Sequence, residues 1–334
     1  MIKGLLNKLT RRSQNRVIVL MYHRIASLSS DPWQIGVTPE NFEEHLKILK
    51  QKYQVYSVPD LIKQLRDGKI EGNGVCITFD DAYADNYINA KPLLERYELP
   101  ATFFVASEYI GKNRQFWWDE LENMILHSAS LPLKLSIAFS KELFEFELDK
   151  ESLSDDDKFK QSVWMWEEIP PTRRCELFLE LWKRLRPLSS IEIENILVEL
   201  RTWAMHLQTF GQEEVAMSGS QLKEMYSNPL FTFGIHTLTH PALASHSHAI
   251  QEQEISDCKK ALEQMSGLNI NTLAYPYGNY NDVTLKVATE QKLSAAFTTQ
   301  AKAVLASSSP LELGRLQVIN QDAKSFEKFI SDWL

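Results

Sequence analysis

Short runs of apolar residues recur along the chain at intervals that predict buried strands. The runs occupy residues 17–21, 75–79, 102–105, 231–235 and 272–275. Continuous apolar runs of this length are typical of parallel strands that are buried on both faces. We therefore predict a parallel sheet built from these segments.

Helical patterns lie between several of the apolar runs. Thr38 and Pro39 predict the start of one helix, and Ser57 with Asp60 predicts the N-terminal cap of another. A third pattern begins near residue 249 and stops at Gly267, a residue type that often ends helices. The alternation of strand and helix predicts βα repeats and an α/β fold.

The alternation lapses over residues 111–217, which contain six of the eight tryptophans. Apolar residues alternate with others over 133–139 and 144–148, which predicts a small hairpin, and helical patterns follow it. We therefore predict that 111–217 is an inserted, mostly helical region. Residues 17–110 and 218–334 would together form the main domain.

The composition narrows the class of protein. Hydrophobic residues make up 44% of the 334 residues and charged residues 24%, as in soluble globular proteins. The net charge of −8 disfavours nucleic acid as a partner, because phosphates would be repelled. The three cysteines, Cys76, Cys175 and Cys258, are too far apart to predict a disulfide framework or a zinc knuckle, and we expect buried thiols.

The N-terminal segment, residues 1–16, interleaves basic residues with leucine and isoleucine and contains no acidic residue. This pattern predicts a basic amphipathic segment that makes weak peripheral contact with an anionic membrane, with a frayed terminus as the alternative. No apolar run has the length of a membrane span, and the N-terminus lacks the features of a secretory signal. The expected location is therefore the cytoplasm, peripherally on the inner membrane face.

Two carboxylates, Asp80 and Asp81, follow the predicted strand at 75–79 directly. In a barrel of parallel strands, this end of a strand faces the active site. The chain turns where the strand ends, so both carboxylates can reach one pocket. A capping or turn role for the two aspartates remains an alternative.

Two histidines, His236 and His240, follow the predicted strand at 231–235. Imidazoles four residues apart can converge on one cation, and one added carboxylate makes a three-ligand site with open positions for water and substrate. Because His246 and His248 lie nearby, local histidine richness is an alternative explanation of the spacing.

Taken together, strand-Asp-Asp followed by strand-His-Thr-x-x-His resembles the signature of the polysaccharide deacetylases, carbohydrate esterase family four. The resemblance covers residues 17–110 and 218–320. It implies a distorted (β/α)7-type barrel, here with a helix-rich insertion.

The resemblance also implies roles for the motif residues. Asp81, His236 and His240 would bind a divalent metal, and Asp80 would be the general base. Zinc is the favoured ion for this ligand set, although cobalt, nickel, manganese and iron(II) also fit it.

Two further roles follow from the resemblance. Residues 273–278 resemble the family's arginine-x-proline-aromatic motif, which implies that the backbone N–H of Tyr277 helps to hold the oxyanion. The family's last motif ends in a histidine, which the C-terminal strand predicted at 315–320 lacks. Residues 20–23 have the required form at the other end of the chain, as in circularly permuted deacetylases. His23 would then be the general acid, kept protonated by a nearby carboxylate, with a core histidine as the alternative.

Three positions depart from the family pattern. Ala82 replaces a glycine after the two aspartates, which would reshape the turn if a positive φ is required there. Ala274 replaces the arginine that holds the general base, and we predict Arg315 as its substitute. Asp119 is predicted to orient His23. The adjacent Trp117–Trp118 pair suits either sugar stacking or burial, and burial is favoured.

The resemblance implies a metal-dependent hydrolase that removes N-acetyl groups from amino sugars of a polysaccharide, an oligosaccharide or a lipid-linked glycan precursor. One alternative is another amide hydrolase on the same fold, and a second is a catalytically silent carbohydrate-binding protein. A magnesium-dependent phosphoryl transferase is disfavoured, because the chain lacks a glycine-rich phosphate loop and magnesium prefers oxygen ligands to paired histidines.

Overall fold

The computed structural model describes residues 14–139, 142–206 and 211–334. Its strands are β1 (Val17–Tyr22), β2 (Gln54–Val55), β3 (Gly74–Phe79), β4 (Ala101–Val105), β5 (Lys134–Phe139), β6 (Glu142–Glu147), β7 (Phe231–Ile235), β8 (Thr272–Ala274), β9 (Ala295–Phe297) and β10 (Leu316–Gln317). The apolar runs of the sequence become β1, β3, β4, β7 and β8, as predicted.

The main sheet is parallel and runs in the order β10-β1-β3-β4-β7-β8-β9, with β2 alongside β3. A parallel bridge between Phe297 and Leu313 joins β9 to the segment that leads into β10, so the two edges of the curled sheet meet. Seven strands thus follow one another around the sheet. The predicted distorted (β/α)7-type barrel is confirmed.

The helices pack around this sheet and within the insertion. They are α1 (Pro39–Lys52), α2 (Val58–Arg66), α3 (Lys91–Tyr97), α4 (Trp117–Glu122), α5 (Asp155–Ser162), α6 (Arg173–Leu185), α7 (Ser190–Ala204), α8 (Gly219–Tyr226), α9 (His248–Ser266), α10 (Asp282–Glu290) and α11 (Ala323–Trp333).

The predicted helix ends are also confirmed. The side chain of Thr38 accepts a hydrogen bond from the backbone N–H of Asn41 at the start of α1, and Ser57 accepts one from Asp60 at the start of α2. Gly267 ends α9 with φ of 69°, in the left-handed region that glycine enters without a steric penalty.

The insertion has an apolar core that extends onto the barrel. The strands β5 and β6 form the predicted antiparallel hairpin. Side chains of α4, α6 and α7 pack together in a cluster that also includes Tyr83 and Ala106 from the barrel. The insertion is thereby anchored beside the residues that follow β3 and β4, while its predicted limits at 111 and 217 stay a prediction.

The C-terminal strand is shorter than the sequence predicted. Strand β10 comprises Leu316–Gln317, and its hydrogen bonding to β1 ends when the N–H of Val318 donates to the carbonyl of Met21. Asn320 then bonds to the start of α1, where its side-chain oxygen accepts from the N–H of Thr38. This side-chain contact, which a pattern of apolar residues does not reveal, marks the end of the strand.

The remaining predictions on chain organisation have separate outcomes. The three cysteines are buried and free, as predicted. Residues 1–13 carry most of the predicted basic segment 1–16 and lie outside the described residues. Among the residues that are described, no helix has both the length and the apolar character that crossing a membrane requires.

Candidate active site

The predicted site residues emerge from neighbouring strand ends. Asp80 and Asp81 follow β3, His236 follows β7 and His23 follows β1. Since β1, β3, β4 and β7 are adjacent parallel strands, their carboxyl ends lie at the same end of the barrel. The fold therefore gathers residues that are more than two hundred positions apart in the sequence.

Asp81, His236 and His240 form a buried cluster with metal-ligand geometry. The Nε2 atoms of the two histidines are 3.1 Å apart. Each of these nitrogens lies 3.4 Å from Oδ1 of Asp81. The structure thus brings together the three residues that the sequence predicted as metal ligands.

The ring of His236 is oriented by a backbone contact. Its Nδ1 lies 2.8 Å from the carbonyl oxygen of Ala274, which can only accept a hydrogen bond, so Nδ1 carries the proton and Nε2 presents its lone pair to the cluster. Ala274 occupies the position where the family resemblance places an arginine. Its carbonyl thus orients a predicted metal ligand.

The loop that carries His240 is held by a residue that the sequence analysis missed. Glu254 of α9 accepts hydrogen bonds from the backbone N–H groups of Leu238 and Thr239 and from the Thr239 hydroxyl, at 2.7–2.9 Å. Thr237 adds a second support, because its Oγ1 accepts from the N–H of His240 at 3.0 Å. A single acid on a following helix carries no distinctive sequence signal, which is why it was missed.

The donor set fits a divalent cation on electrostatic grounds as well. Oδ1 of Asp81 is buried and has no hydrogen-bond partner among the described residues. Burial, followed by the charges of Asp80 and Asp119, raises the pKa of Asp81 well above its ordinary value. A cation between Asp81 and the two histidines would compensate the cost of burying this carboxylate.

Asp80 is held by Arg315 in the way that the sequence predicted. The guanidinium donates to both carboxylate oxygens, each at 2.7 Å, and both side chains are buried. Burial by itself would raise the pKa of Asp80, but the charge of Arg315, with a smaller contribution from His236, holds that pKa below its ordinary value. Asp80 is therefore an ionised carboxylate at neutral pH.

His23 lies beside Asp80, with 4.0 Å between its Nε2 and Oδ2 of the carboxylate, and its side chain is 17% exposed. Burial lowers the pKa of His23 to about 4, with Asp80 opposing the shift and Arg315 and His236 reinforcing it. The ring is therefore neutral near pH 7. The expectation that a nearby carboxylate keeps it protonated was wrong, because desolvation outweighs the attraction of a carboxylate already paired with Arg315.

Asp119 does not contact His23, contrary to the prediction. Its carboxylate accepts a hydrogen bond of 2.8 Å from the hydroxyl of Tyr83, which itself accepts one of 2.9 Å from Nε1 of Trp118. The packing of α4 against the segment after β3 directs Asp119 to this tyrosine. The predicted orienting role of Asp119 is thus replaced by a structural one.

Tyr277 lies at the site, next to a predicted metal ligand. Its ring centroid is 4.5 Å from that of His240, with an edge-to-face arrangement, and Trp118 contacts the same histidine at 4.6 Å. The predicted use of the Tyr277 backbone N–H stays a prediction. The aromatic rings shield His240 from water on two sides.

Strained backbone is concentrated in this region. Nine non-glycine residues of the described chain have a positive φ, and five of them belong to the site segments: Asp81, Ala82, Thr237, His240 and Tyr277. Such conformations cost of order 1–3 kcal/mol each and persist only where the surrounding structure imposes them. Their clustering marks this end of the barrel as the functional one.

A cavity of about 340 Å³ opens over the cluster. The predicted site residues other than Arg315 line its wall, together with four tryptophans, Trp33, Trp118, Trp166 and Trp182. Trp117 and Trp118 are buried, as the sequence favoured, with exposures of 4% and 6%, whereas Trp166 is 47% exposed. Trp33, Trp166 and Trp182 were not predicted as parts of the site. The concentration of tryptophans in the insertion was a hint for Trp166 and Trp182, whereas Trp33 lies outside that segment.

Comparisons with known proteins agree with this architecture. The family model described as polysaccharide deacetylase matches residues 67–129 and 194–296. A protein of Bacillus subtilis named as a polysaccharide deacetylase, YxkH, is 35% identical over 115 residues, which is 34% of this chain and 40% of that protein. The poly-beta-1,6-N-acetyl-D-glucosamine N-deacetylase of Staphylococcus epidermidis is 22% identical over 98% of this chain and 86% of its own length.

A solved structure shows the same fold. The Streptococcus pyogenes deacetylase PplD superposes with a TM-score of 0.58 at 20% identity, over 95% of this chain and 99% of that one.

Proposed function

This chain belongs to the polysaccharide deacetylase family, and from this membership we propose that it is a metal-dependent hydrolase that removes N-acetyl groups from the amino sugars of a glycan. The observation that carries the proposal is the cluster of Asp81, His236 and His240 beside the ionised Asp80. This arrangement combines three metal ligands with a fourth, ionised side chain that can act as a base, as metal-assisted amide hydrolysis requires.

Zinc is the metal that we propose for this site. Tetrahedral zinc with bonds of about 2.0–2.1 Å to nitrogen and oxygen holds its ligand atoms roughly 3.3 Å apart. The three distances within the cluster are 3.1, 3.4 and 3.4 Å. When bound, the cation would supply a Lewis acid that polarises the acetamide carbonyl and acidifies the attacking water.

The chain's own residues would handle the protons. Asp80 takes a proton from the attacking water at its carboxylate, which Arg315 keeps ionised and fixed in position. The N–H of Tyr277 donates to the oxygen that becomes negatively charged. His23, neutral near pH 7, then accepts that proton from Asp80 through Nε2, which lies 4.0 Å from the Asp80 carboxylate, and donates it to the sugar nitrogen as the C–N bond breaks. Acetate and a free amine result.

The alternative of a silent carbohydrate-binding protein loses the two features that suggested it. Ala82 adopts a φ of 62°, so the turn keeps its left-handed form despite the missing glycine. Arg315 occupies the place of the missing arginine at Asp80. The proposed reaction therefore needs no residue that the site lacks.

The experiment that tests the proposal combines metal analysis with acetate release from β-1,6-linked N-acetylglucosamine oligomers, the sugar named for the staphylococcal relative. We expect the parent protein to bind about one equivalent of metal and to release acetate. His236→Ala should lose both metal and turnover, whereas Asp80→Asn and His23→Ala should keep the metal and lose turnover. Metal retained by His236→Ala, or acetate release that chelation leaves intact, would contradict the assignment.

A further inference from the structure

Arg186 brings a positive charge to the wall of the active-site cavity. It caps the C-terminus of α6, and its guanidinium carbon lies 5.1 Å from the ring centroid of Trp182 and 5.8 Å from that of Tyr277. The Tyr277 ring in turn contacts His240 at 4.5 Å. Two successive ring contacts thus link Arg186 to a predicted metal ligand.

This guanidinium has no counter-ion within the part of the chain that the structure describes. Its interactions there are the two contacts with aromatic faces, which leave the N–H groups at the edge of the planar fork available. Arg184, two residues earlier, instead pairs with Glu180 and Glu142. The guanidinium of Arg186 is therefore available to bind an anionic group of a ligand.

The other charged residues of the described cavity wall do not compensate the positive charge of Arg186. The carboxylates in its described wall are Asp80 and Asp81. Asp80 is paired with Arg315, and Asp81 faces the two histidines of the metal cluster. The rest of the wall near Arg186 is largely aromatic, and walls of low polarity strengthen the interaction between a fixed charge and a ligand.

We propose that Arg186 forms an anion-binding subsite for the substrate. The glycan would carry a carboxylate or a phosphate next to the sugar that loses its acetyl group. A guanidinium matches both groups, because its fork can donate two parallel hydrogen bonds to either. The rings of Trp33 and Trp166 supply faces on which the neighbouring sugars can stack. This inference rests on the proposed function, since it specifies the substrate class of the same site.

The test compares matched substrates that differ in one charged group. The probes are tetramers of β-1,6-linked N-acetylglucosamine whose reducing end is an alditol, an aldonate or a 1-phosphate, so that one is neutral and the others distinguish the two sources of the anion. We expect kcat/KM to be at least about tenfold higher for one or both anionic probes, from the strength of charged hydrogen bonds. The gain should lie mainly in KM and should shrink at high salt.

Variants show whether the preference comes from Arg186. Arg186→Gln should reduce the preference, measured as the ratio of kcat/KM between an anionic and the neutral probe, to within about threefold. Arg186→Lys, which keeps the charge but loses the fork, should retain part of it. Arg184→Gln is the matched control, because it removes an equal charge two residues away that is already paired. It should keep the parent's preference.

The outcomes distinguish a failure of the anion subsite from a failure of the proposed deacetylase function. Equal rates on all three probes, or a preference that survives Arg186→Gln, would overturn the anion subsite and leave the deacetylase proposal standing. Failure to release acetate from any probe by the metal-loaded parent would contradict both proposals.

Discussion

Arg315 and Asp80 form a bidentate ion pair inside the barrel although 235 positions separate them in the sequence. Arg315 also donates to the carbonyl of Thr298 at 3.2 Å, so the guanidinium connects two strands at the level of the site. The family pattern places an arginine at the position of Ala274. In this chain the charge comes from a different strand and reaches the same carboxylate.

Removing this guanidinium should destabilise the protein strongly. Arg315→Gln would leave Asp80 as an unpaired buried charge, and we expect the free energy of unfolding in urea to fall by about 3–5 kcal/mol at pH 7. Combining it with Asp80→Asn should recover much of that loss, because the uncompensated charge disappears as well. A double variant no more stable than Arg315→Gln alone would show that packing, and not charge, explains the effect.

The same variant should change the pH dependence of activity. In the parent, Arg315 holds the pKa of Asp80 below its ordinary value, so the ion pair stabilises the fold above a pH of about 3.9 and this contribution is lost as the pH falls further. Without Arg315, burial raises that pKa. The acid limb of the pH profile of kcat/KM, measured on the residual activity of Arg315→Gln, should therefore move to higher pH. An unmoved limb would count against Asp80 as the base.

A methyl group at Gly234 should disturb the candidate metal-binding residues Asp81, His236 and His240. Gly234 lies on β7, the strand that leads to His236. In Gly234→Ala, the new Cβ would collide with the ring of Phe104 and lie 2.6 Å from Oγ1 of Thr272 on the neighbouring strand β8. We expect a loss of about 1–3 kcal/mol of stability and weaker metal binding, measured by urea unfolding and metal titration. Gly72→Ala is the control, since its nearest neighbour is the Tyr56 hydroxyl at 3.6 Å. Equal effects of the two substitutions would refute the steric argument.

A buried histidine that is not among the predicted site residues should make the protein sensitive to acid. His45 is buried, stacked on Phe326 at 3.9 Å, and donates from Nε2 to the carbonyl of Gln321 at 2.8 Å. Burial lowers its pKa to about 4. Unfolding frees the ring to take a proton near pH 6.5, so stability should fall as the pH drops from about 6.5 to 4.

The size of this effect can be isolated by substitution. His45→Gln is neutral at every pH, and its loss of stability between pH 7 and pH 5 should be about 2 kcal/mol smaller than that of the parent in urea unfolding. His248→Gln, at an exposed position, serves as the control for the removal of an imidazole. An identical slope in His45→Gln would rule out this source of acid sensitivity.

Restoring glycine after the two aspartates should cost little. Ala82 has a φ of 62°, which disfavours an L-residue by about 1–2 kcal/mol, while its buried methyl contributes roughly 0.8 kcal/mol. Ala82→Gly should therefore be neutral or stabilising by about 1 kcal/mol and should keep its activity. Ala288→Gly, at a buried position of α10 with ordinary helical backbone, should instead lose about 1 kcal/mol or more. Equal losses in the two variants would argue against strain at Ala82.

The sequence by itself determined the strands and the chemistry at their ends. The apolar runs before Asp80 and His236 are local patterns, and burial on both faces of a parallel sheet follows from the runs themselves. The caps at Thr38 and Ser57 are equally local, because each side chain bonds to a backbone N–H three residues later. These features could be predicted because their causes lie within a few residues of one another.

Only the tertiary structure decided which distant groups meet and what charge they carry. The neutral state of His23, the contact of Asp119 with Tyr83 and the position of Arg186 all depend on how the barrel closes and where the insertion packs. Desolvation and hydrogen bonding act over a few ångströms in space and are indifferent to separation along the chain. A linear sequence therefore names the reacting groups, whereas their protonation and partners require the folded barrel.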